Sequence, residues 1–350
     1  MKNRKTHVIK LGDILVGGDN PVSVQSMTNT VTKDLVSTIS QIQDLEKAKC
    51  DIVRLAISDT EDARAIGEIK KQVNIPLIGD IQYDYRLALE SISNGIDGLR
   101  INPGNIGSLD KVKEIVKSCR ENNLSIRVGV NSGSIKKEFL EKYNGVNEYS
   151  MVYSAMEQIQ LLESMDFSDI KISLKSSNVP LTIKAYKMIS GLTNHPLHLG
   201  ITEAGPSWAG TIKSAVGLGS LLSMGIGDTI RVSLTGDPIE EVRVGREILK
   251  SLDLLKDGIE IISCPTCGRT KIELIEIVKE AEKRLKDINK DIKVAIMGCP
   301  VNGPGEAREA DIGVAGGKGE GLIFRKGKIV KKVKEEDLLN ELIKEIDKIP

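Results

Sequence analysis

The sequence predicts an α/β protein: an N-terminal (β/α)8 TIM barrel followed by a smaller C-terminal α/β (α+β) domain. Three observations carry this expectation. The chain has 350 residues, more than one compact core usually needs. Over its first two thirds, short apolar runs alternate with stretches of helical periodicity, the pattern of a parallel sheet wrapped by helices. The runs number eight, which closes a barrel at roughly 250 residues. No GxGxxG follows the first run, and this argues against an open doubly wound sheet.

In chain order the runs are PVSVQSM, DIVRLAI, IPLIGDI, GLRIN, SIRVGVN, DIKISLK, LHLGITEA and TIRVSLT. Helical patterns fall between them, among others over 32–49, 61–72, 108–122 and 180–193. The barrel domain is expected over 1–253 and the second domain over 257–350, with a short linker between. There GIEIIS reads as a strand. After the loop CPTC comes a helix over 270–288, with Thr270 and Glu273 placed as a capping box and Ile275, Val278, Leu285 and Ile288 at helical spacing. IKVAIMG and ADIGVAG are further strands, EGLIFRKGKIVKKV a hairpin, and 335–349 a surface helix.

Composition narrows the function classes. Lys and Arg number 49, as do Asp and Glu, so no global charge draws the chain to nucleic acid or a membrane. The N-terminus MKNRKTHVIKLGDILVGG is basic but lacks the long apolar core of a signal peptide, and no run of 18 apolar residues occurs. Five cysteines are sparse and odd in number for a disulfide scaffold. A cytoplasmic protein with free or metal-bound thiols is expected.

Cys264, Cys267 and Cys299 form a C-x2-C-x31-C pattern spanning one strand–helix–strand unit. A right-handed crossover makes those strands parallel, so all three thiols follow carboxyl ends on one sheet edge. Cys50 and Cys119 read as small core residues of barrel helices. No histidine occurs in the second domain, so a closed zinc site is short of a ligand. Glu306, seven residues past Cys299, is the nearest carboxylate for a fourth position. A [4Fe-4S] cluster with one exchangeable oxygen ligand fits this set. A solvated Glu306 and a CxxC redox pair stay open as alternatives.

The barrel strands carry charges that buried parallel strands usually lack. Arg54, Arg100 with Asn102, Arg127 with Asn131, Lys175, and Arg231 with Ser233 come from different runs. Within a run they are spaced by two or four, hence on one face. Convergence on a small polyanion at the carboxyl-terminal mouth explains them, because guanidinium forks match phosphate oxygens. The competing reading pairs each Arg with an internal acid such as Asp80 or Glu203.

These residues closely resemble the 4-hydroxy-3-methylbut-2-en-1-yl diphosphate synthase family. The likeness runs through VQSMTNT, DYRLAL, LRINPGNIG, IRVGVNSGS, GITEAG, RVSLTGDP, ISCPTCGR and MGCPVNGPGEA, in the compact form without an inserted domain. It implies reductive ring opening of 2-C-methyl-D-erythritol 2,4-cyclodiphosphate to (E)-4-hydroxy-3-methylbut-2-enyl diphosphate, with loss of water, in the methylerythritol phosphate pathway. Electrons would pass through a [4Fe-4S] cluster from flavodoxin or ferredoxin. By motif, Cys264, Cys267, Cys299 and Glu306 would hold the cluster. Arg54, Arg100, Arg127, Lys175, Arg231 and Ser233 would hold the diphosphate, and Asn131 would shape that pocket. Asp80 and Glu203 would face the carbon skeleton, Glu203 as proton relay or charge stabiliser. Asn302 would contact substrate from the second domain. The resemblance also implies a homodimer in which one subunit's cluster domain covers the other's barrel. One departure stands out: many members carry His two residues past the Asp, where this chain has Gln82. An amide donates a hydrogen bond there but carries no charge or titratable proton, and Gln82 is expected as a diphosphate contact.

Overall fold

The structure, a computed structural model, describes residues 4–286, 288–300 and 309–349. It divides into two compact units between Leu255 and Lys256. The first begins with a hairpin, β1 Ile9–Leu11 paired antiparallel to β2 Ile14–Val16. Eight parallel strands follow: β3 Ser23–Met27, β4 Ile52–Ala56, β5 Leu77–Asp80, β6 Gly98–Ile101, β7 Ser125–Asn131, β8 Ile170–Lys175, β9 His198–Leu199 and β10 Thr229–Ile230. Each pairs with its chain neighbour, and β10 returns to β3. The seam between β8 and β9 closes through a parallel bridge from Ile172 to Leu197. All eight expected runs therefore form the barrel.

Helices α1 Leu35–Lys47, α2 Thr60–Lys70, α3 Tyr85–Ser93, α4 Leu109–Glu121, α5 Lys137–Lys142, α6 Glu148–Glu163, α7 Val179–Ser190, α8 Ser207–Ser223 and α9 Pro238–Lys250 accompany the strands. Several start at an Asp or Asn whose side chain accepts a first-turn N–H: Asp34, Asp59, Asp84, Asn178 and Asp237. Such caps satisfy helix donors that have no intrahelical partner. The core lies between strands and helices, built from residues such as Leu55, Ile66, Leu99, Ile126 and Leu174. Cys119 belongs to it from α4. Cys50 belongs to it too, but from the loop after α1 rather than from a helix. Burial pushes both thiols up to about 12, as for inert core cysteines.

The hairpin was not anticipated. Ile9, Leu11 and Val16 pack on Ile52 and Ile78 at the amino ends of β4 and β5, and a Cβ on Gly98 would meet Leu11 at 2.6 Å. The hairpin therefore floors the barrel at the end opposite its mouth. Its signal was the Gly12–Asp13 pair between apolar runs, with Gly12 at φ 55, a two-residue hairpin turn.

The second unit is a five-stranded sheet, ordered β11 Glu260–Ser263, β12 Lys293–Met297, β13 Ile312–Gly316, β14 Glu320–Arg325 and β15 Lys328–Lys334. The first three strands are parallel and the last two form an antiparallel hairpin. Helices α10 Leu274–Leu285 and α11 Leu338–Asp347 cover an apolar face made by Val294, Ile296, Ile312, Val314 and Ile323. The expected capping box does not form, because α10 starts only at Leu274. Thr270 Oγ1 instead accepts the Cys267 N–H at 3.2 Å. No helix among the described residues is long and apolar enough to cross a membrane.

Candidate active site

The register aligns the charged positions on the inner face of the barrel. Met27 pairs with Arg54, Arg54 with Ile78, Asp80 with Arg100, Arg100 with Arg127, Arg127 with Lys171, and Asn131 with Lys175. Pairing partners in a sheet share a face, so six cations line one interior: Arg54, Arg100, Arg127, Lys171, Lys175 and, just past β10, Arg231. Asn102 and Ser233 also lie just beyond their strands rather than within them.

Acids answer only part of this charge. Asp80 takes Arg100 Nη1 at 3.0 Å and Arg54 Nε at 3.5 Å. Glu241, on the first turn of α9, meets Arg231 Nη2 at 3.5 Å and accepts the Ser26 hydroxyl at 3.1 Å. The pairing of every Arg with an internal acid therefore holds for three and fails for Arg127, whose Nε and Nη1 are buried without a partner. Arg100 Nε, Arg231 Nε and Lys171 Nζ are likewise buried and unpartnered. Buried donors are nearly always satisfied in folded proteins, so this surplus makes the barrel interior a candidate anion site.

Electrostatics follow. Burial alone would raise the Asp80 carboxyl, but Arg54, Arg100 and Arg127 outweigh it and hold the group below its usual value. Burial lowers Arg54 to about 10, with Asp80 opposing the shift. For Arg127, Lys171 and Lys175, burial first and neighbouring guanidinium groups second push the pKa well down. An arriving dianion would reverse both costs.

Other expected residues are placed as follows. Gln82 is exposed; its amide donates to Asp80 Oδ1 at 3.0 Å and accepts from Arg100 Nη1 at 3.1 Å. It thus extends the Asp80–Arg100 pair without adding charge. Asn102 is buried, and its Oδ1 accepts the Gly104 N–H at 3.1 Å, shaping the loop after β6. Asn131 ends β7, half-buried. Glu203 does not end a strand. It lies four residues beyond β9, exposed and at φ 51, a conformation that costs a non-glycine residue about 1 kcal/mol or more. Glu203 does not pair with the arginines.

In the second unit the CPTC loop follows β11 and Cys299 follows β12, so the parallel pairing of these strands brings the loops to one edge. Lys271 N donates to Gly298 O at 2.9 Å, and Gly298 N donates to Cys264 Sγ at 3.2 Å. A Cβ on Gly298 would press on Thr270 Cγ2 at 2.9 Å, so the two loops touch. Backbone and side-chain hydrogen bonds from Arg269 lower the exposed Cys267 thiol, which favours the thiolate a metal needs. Three sulfurs on touching loops, one of them already accepting an N–H, suit an iron–sulfur group. Among the described residues, no three Cys, His, Asp or Glu side chains yet form a metal-holding group. Glu306 and Asn302 lie outside the described residues.

Residues 6–246 match the GcpE TIM-barrel domain, and residues 260–348 the GcpE protein C-terminal domain. The chain belongs to the GcpE family. A relative from Clostridium perfringens, named 4-hydroxy-3-methylbut-2-en-1-yl diphosphate synthase (flavodoxin), is 62% identical over 349 residues, covering 100% of both chains. One of the same name from Ruminiclostridium cellulolyticum is 60% identical, covering 100% of this chain and 99% of its own. The family resemblance seen in the sequence is thereby established, and the chain is an enzyme of this family. Among solved structures, Yersinia pestis dihydropteroate synthase aligns at a TM-score of 0.51 with 11% identity, covering 70% of this chain and 98% of its own. That likeness concerns the barrel fold alone.

Several residues among and around the interior cations of the barrel were missed in the sequence. Lys171 lies four residues before Lys175 on the same face, so its period-two spacing was a usable signal. Glu241 gave none, since it reads as one more acid in a helical first turn. Met27 Sδ accepts from Arg54 Nη2 at 2.8 Å and lies 3.8 Å from Arg231 Nη1, a contact no sequence pattern announces.

Proposed function

We propose that the protein catalyses reductive ring opening of 2-C-methyl-D-erythritol 2,4-cyclodiphosphate to (E)-4-hydroxy-3-methylbut-2-enyl diphosphate, in the methylerythritol phosphate pathway of isoprenoid synthesis. Counted on the neutral acids, two electrons and two protons enter, a ring C–O bond opens, and one hydroxyl leaves as water. The observation that carries this reading is the surplus of buried, unpartnered cationic donors inside the barrel, which a diphosphate matches in charge and geometry. The names of the 62% and 60% identical relatives support it.

In this reading the barrel domain, 1–253, binds the diphosphate and the domain over 257–350 carries the cluster. Arg54, Arg100, Arg127, Lys175, Arg231 and Ser233 hold the phosphate oxygens, and Asn102 and Asn131 shape the pocket. Asp80 stays ionised between two guanidinium groups, so it accepts a substrate hydroxyl and is unsuited to donate a proton. Gln82 steadies that pair. Glu203 has no such partner and stands exposed beyond β9, free to pass a proton to the departing oxygen. Asn302 contacts substrate from the second domain. A [4Fe-4S] cluster held by Cys264, Cys267, Cys299 and Glu306 would supply the electrons singly, drawn from flavodoxin or ferredoxin. We place the enzyme in the cytoplasm as a homodimer whose active sites are shared between subunits.

An anaerobic assay of the cyclodiphosphate with dithionite and a redox dye tests this function. The expected result is formation of the linear diphosphate by protein holding about four irons per chain. Full iron loading without turnover would overturn the assignment.

A further inference from the structure

One hydrogen-bond chain inside the barrel joins Lys175 to two residues that have no part in the reading above. Lys175 Nζ lies 3.4 Å from His198 Nε2, and His198 Nδ1 lies 2.5 Å from Thr229 Oγ1. The three residues occupy β8, β9 and β10, with His198 and Thr229 paired in register. All three are buried. Among the described residues Lys175 has no acid partner, and the interior carboxylates Asp80, Glu241 and Asp228 are engaged elsewhere: Asp80 with Arg54 and Arg100, Glu241 with Arg231, and Asp228 with Thr6 and the Leu197 N–H.

With Lys175 charged, one assignment of the two ring nitrogens follows. An ammonium only donates, so His198 Nε2 accepts from it. The ring proton then belongs on Nδ1 and is donated to Thr229 Oγ1. Burial first, and then the cations Lys175, Arg127, Lys171 and Arg54, disfavour a doubly protonated ring. The backbone around His198 is also held. The Tyr186 hydroxyl donates to His198 O at 2.5 Å and accepts the Leu174 N–H at 2.9 Å. It thus spans the seam where β8 and β9 share only one bridge. Gly200 supplies the passage for the lysine: a Cβ there would lie 2.8 Å from Lys175 Nζ and 2.9 Å from Cε.

We propose that His198 is a positioning residue for anion binding: with its Nδ1–H on Thr229, it accepts from Lys175 and holds that ammonium in place before the diphosphate arrives. The inference rests on the diphosphate reading of the barrel mouth and adds the group that holds one of its cations.

Calorimetry with inorganic pyrophosphate on the full chain tests it without requiring turnover. H198F, which lacks an acceptor, should weaken binding about tenfold. H198Q, whose side-chain carbonyl accepts a hydrogen bond, should recover most of that loss. In a K175M background H198F should add nothing, since the partner is already gone. T229V, close to isosteric, should weaken binding about threefold, and it keeps the inference testable if H198F fails to fold. Unchanged affinity in T229V with either unchanged affinity or misfolding in H198F, equal losses in H198Q and H198F, or additive effects with K175M would each overturn the role of His198. Failure of the wild type to bind pyrophosphate would overturn the diphosphate reading itself.

Discussion

In the proposed reading, the barrel mouth and the cysteine loops hold their charged guests in opposite ways. In the barrel, the groups project from strands whose positions are fixed by neighbours on both sides. Partners such as Asp80 and Glu241 keep several of them aligned. The cysteines instead sit on turns beyond strand ends, linked by one backbone hydrogen bond and one from the Gly298 N–H to Cys264 Sγ. A rigid frame costs buried, mutually repelling charge in advance. Loops leave that cost low and let the guest organise its own ligands. The first arrangement suits a ligand that comes and goes, the second a group that stays.

Cys299→Ser breaks the comparison at its most sensitive point. It should abolish most iron content and all turnover while leaving pyrophosphate affinity unchanged, measured by iron analysis and calorimetry on the same preparation. Loss of both together would show that the two sites are not separately built. Arg127→Ala should do the reverse, keeping the iron and weakening pyrophosphate about a hundredfold, the scale of a charge-assisted pair.

Asp80→Asn sharpens the claim about the rigid frame. It strands two guanidinium groups and should cost about 3 kcal/mol of stability near neutral pH, read by denaturant unfolding. The sign follows from the depressed Asp80 carboxyl. A group whose folded pKa is lowered stabilises fully above its unfolded value, about 3.9 for Asp. The gap between wild type and variant should therefore stay constant above about pH 5 and close as the pH falls below 4. A gap independent of pH would mean that the carboxylate's charge is not what matters. Glu306→Ala should keep much of the iron and slow turnover about tenfold, and an unchanged rate would remove Glu306 from the ligand set. The smallest effect is expected for Gly200→Ala, whose new methyl crowds the Lys175 side chain and should weaken pyrophosphate severalfold.

The comparison also explains what the sequence made legible. Charges placed at period two within apolar runs announced a shared inner face, because few physical circumstances tolerate Arg54, Arg100 and Arg127 in buried strands. The cysteine spacing announced a common edge through crossover handedness alone. What failed was local and ambiguous. Thr270 and Glu273 had capping-box spacing, yet the threonine serves the Cys267 turn. Glu203 carried no mark of its left-handed backbone. Partners that belong to the outer helices, such as Glu241 and Tyr186, are invisible to strand patterns because their meaning lies in distant contacts.

The Met27 sulfur is set against two of the mouth's guanidinium groups. A thioether is an uncharged, weakly accepting placeholder. In the proposed reading, a phosphate oxygen reaching those N–H groups would displace a soft, neutral neighbour and leave the pairs of Arg54 with Asp80 and Arg231 with Glu241 in place.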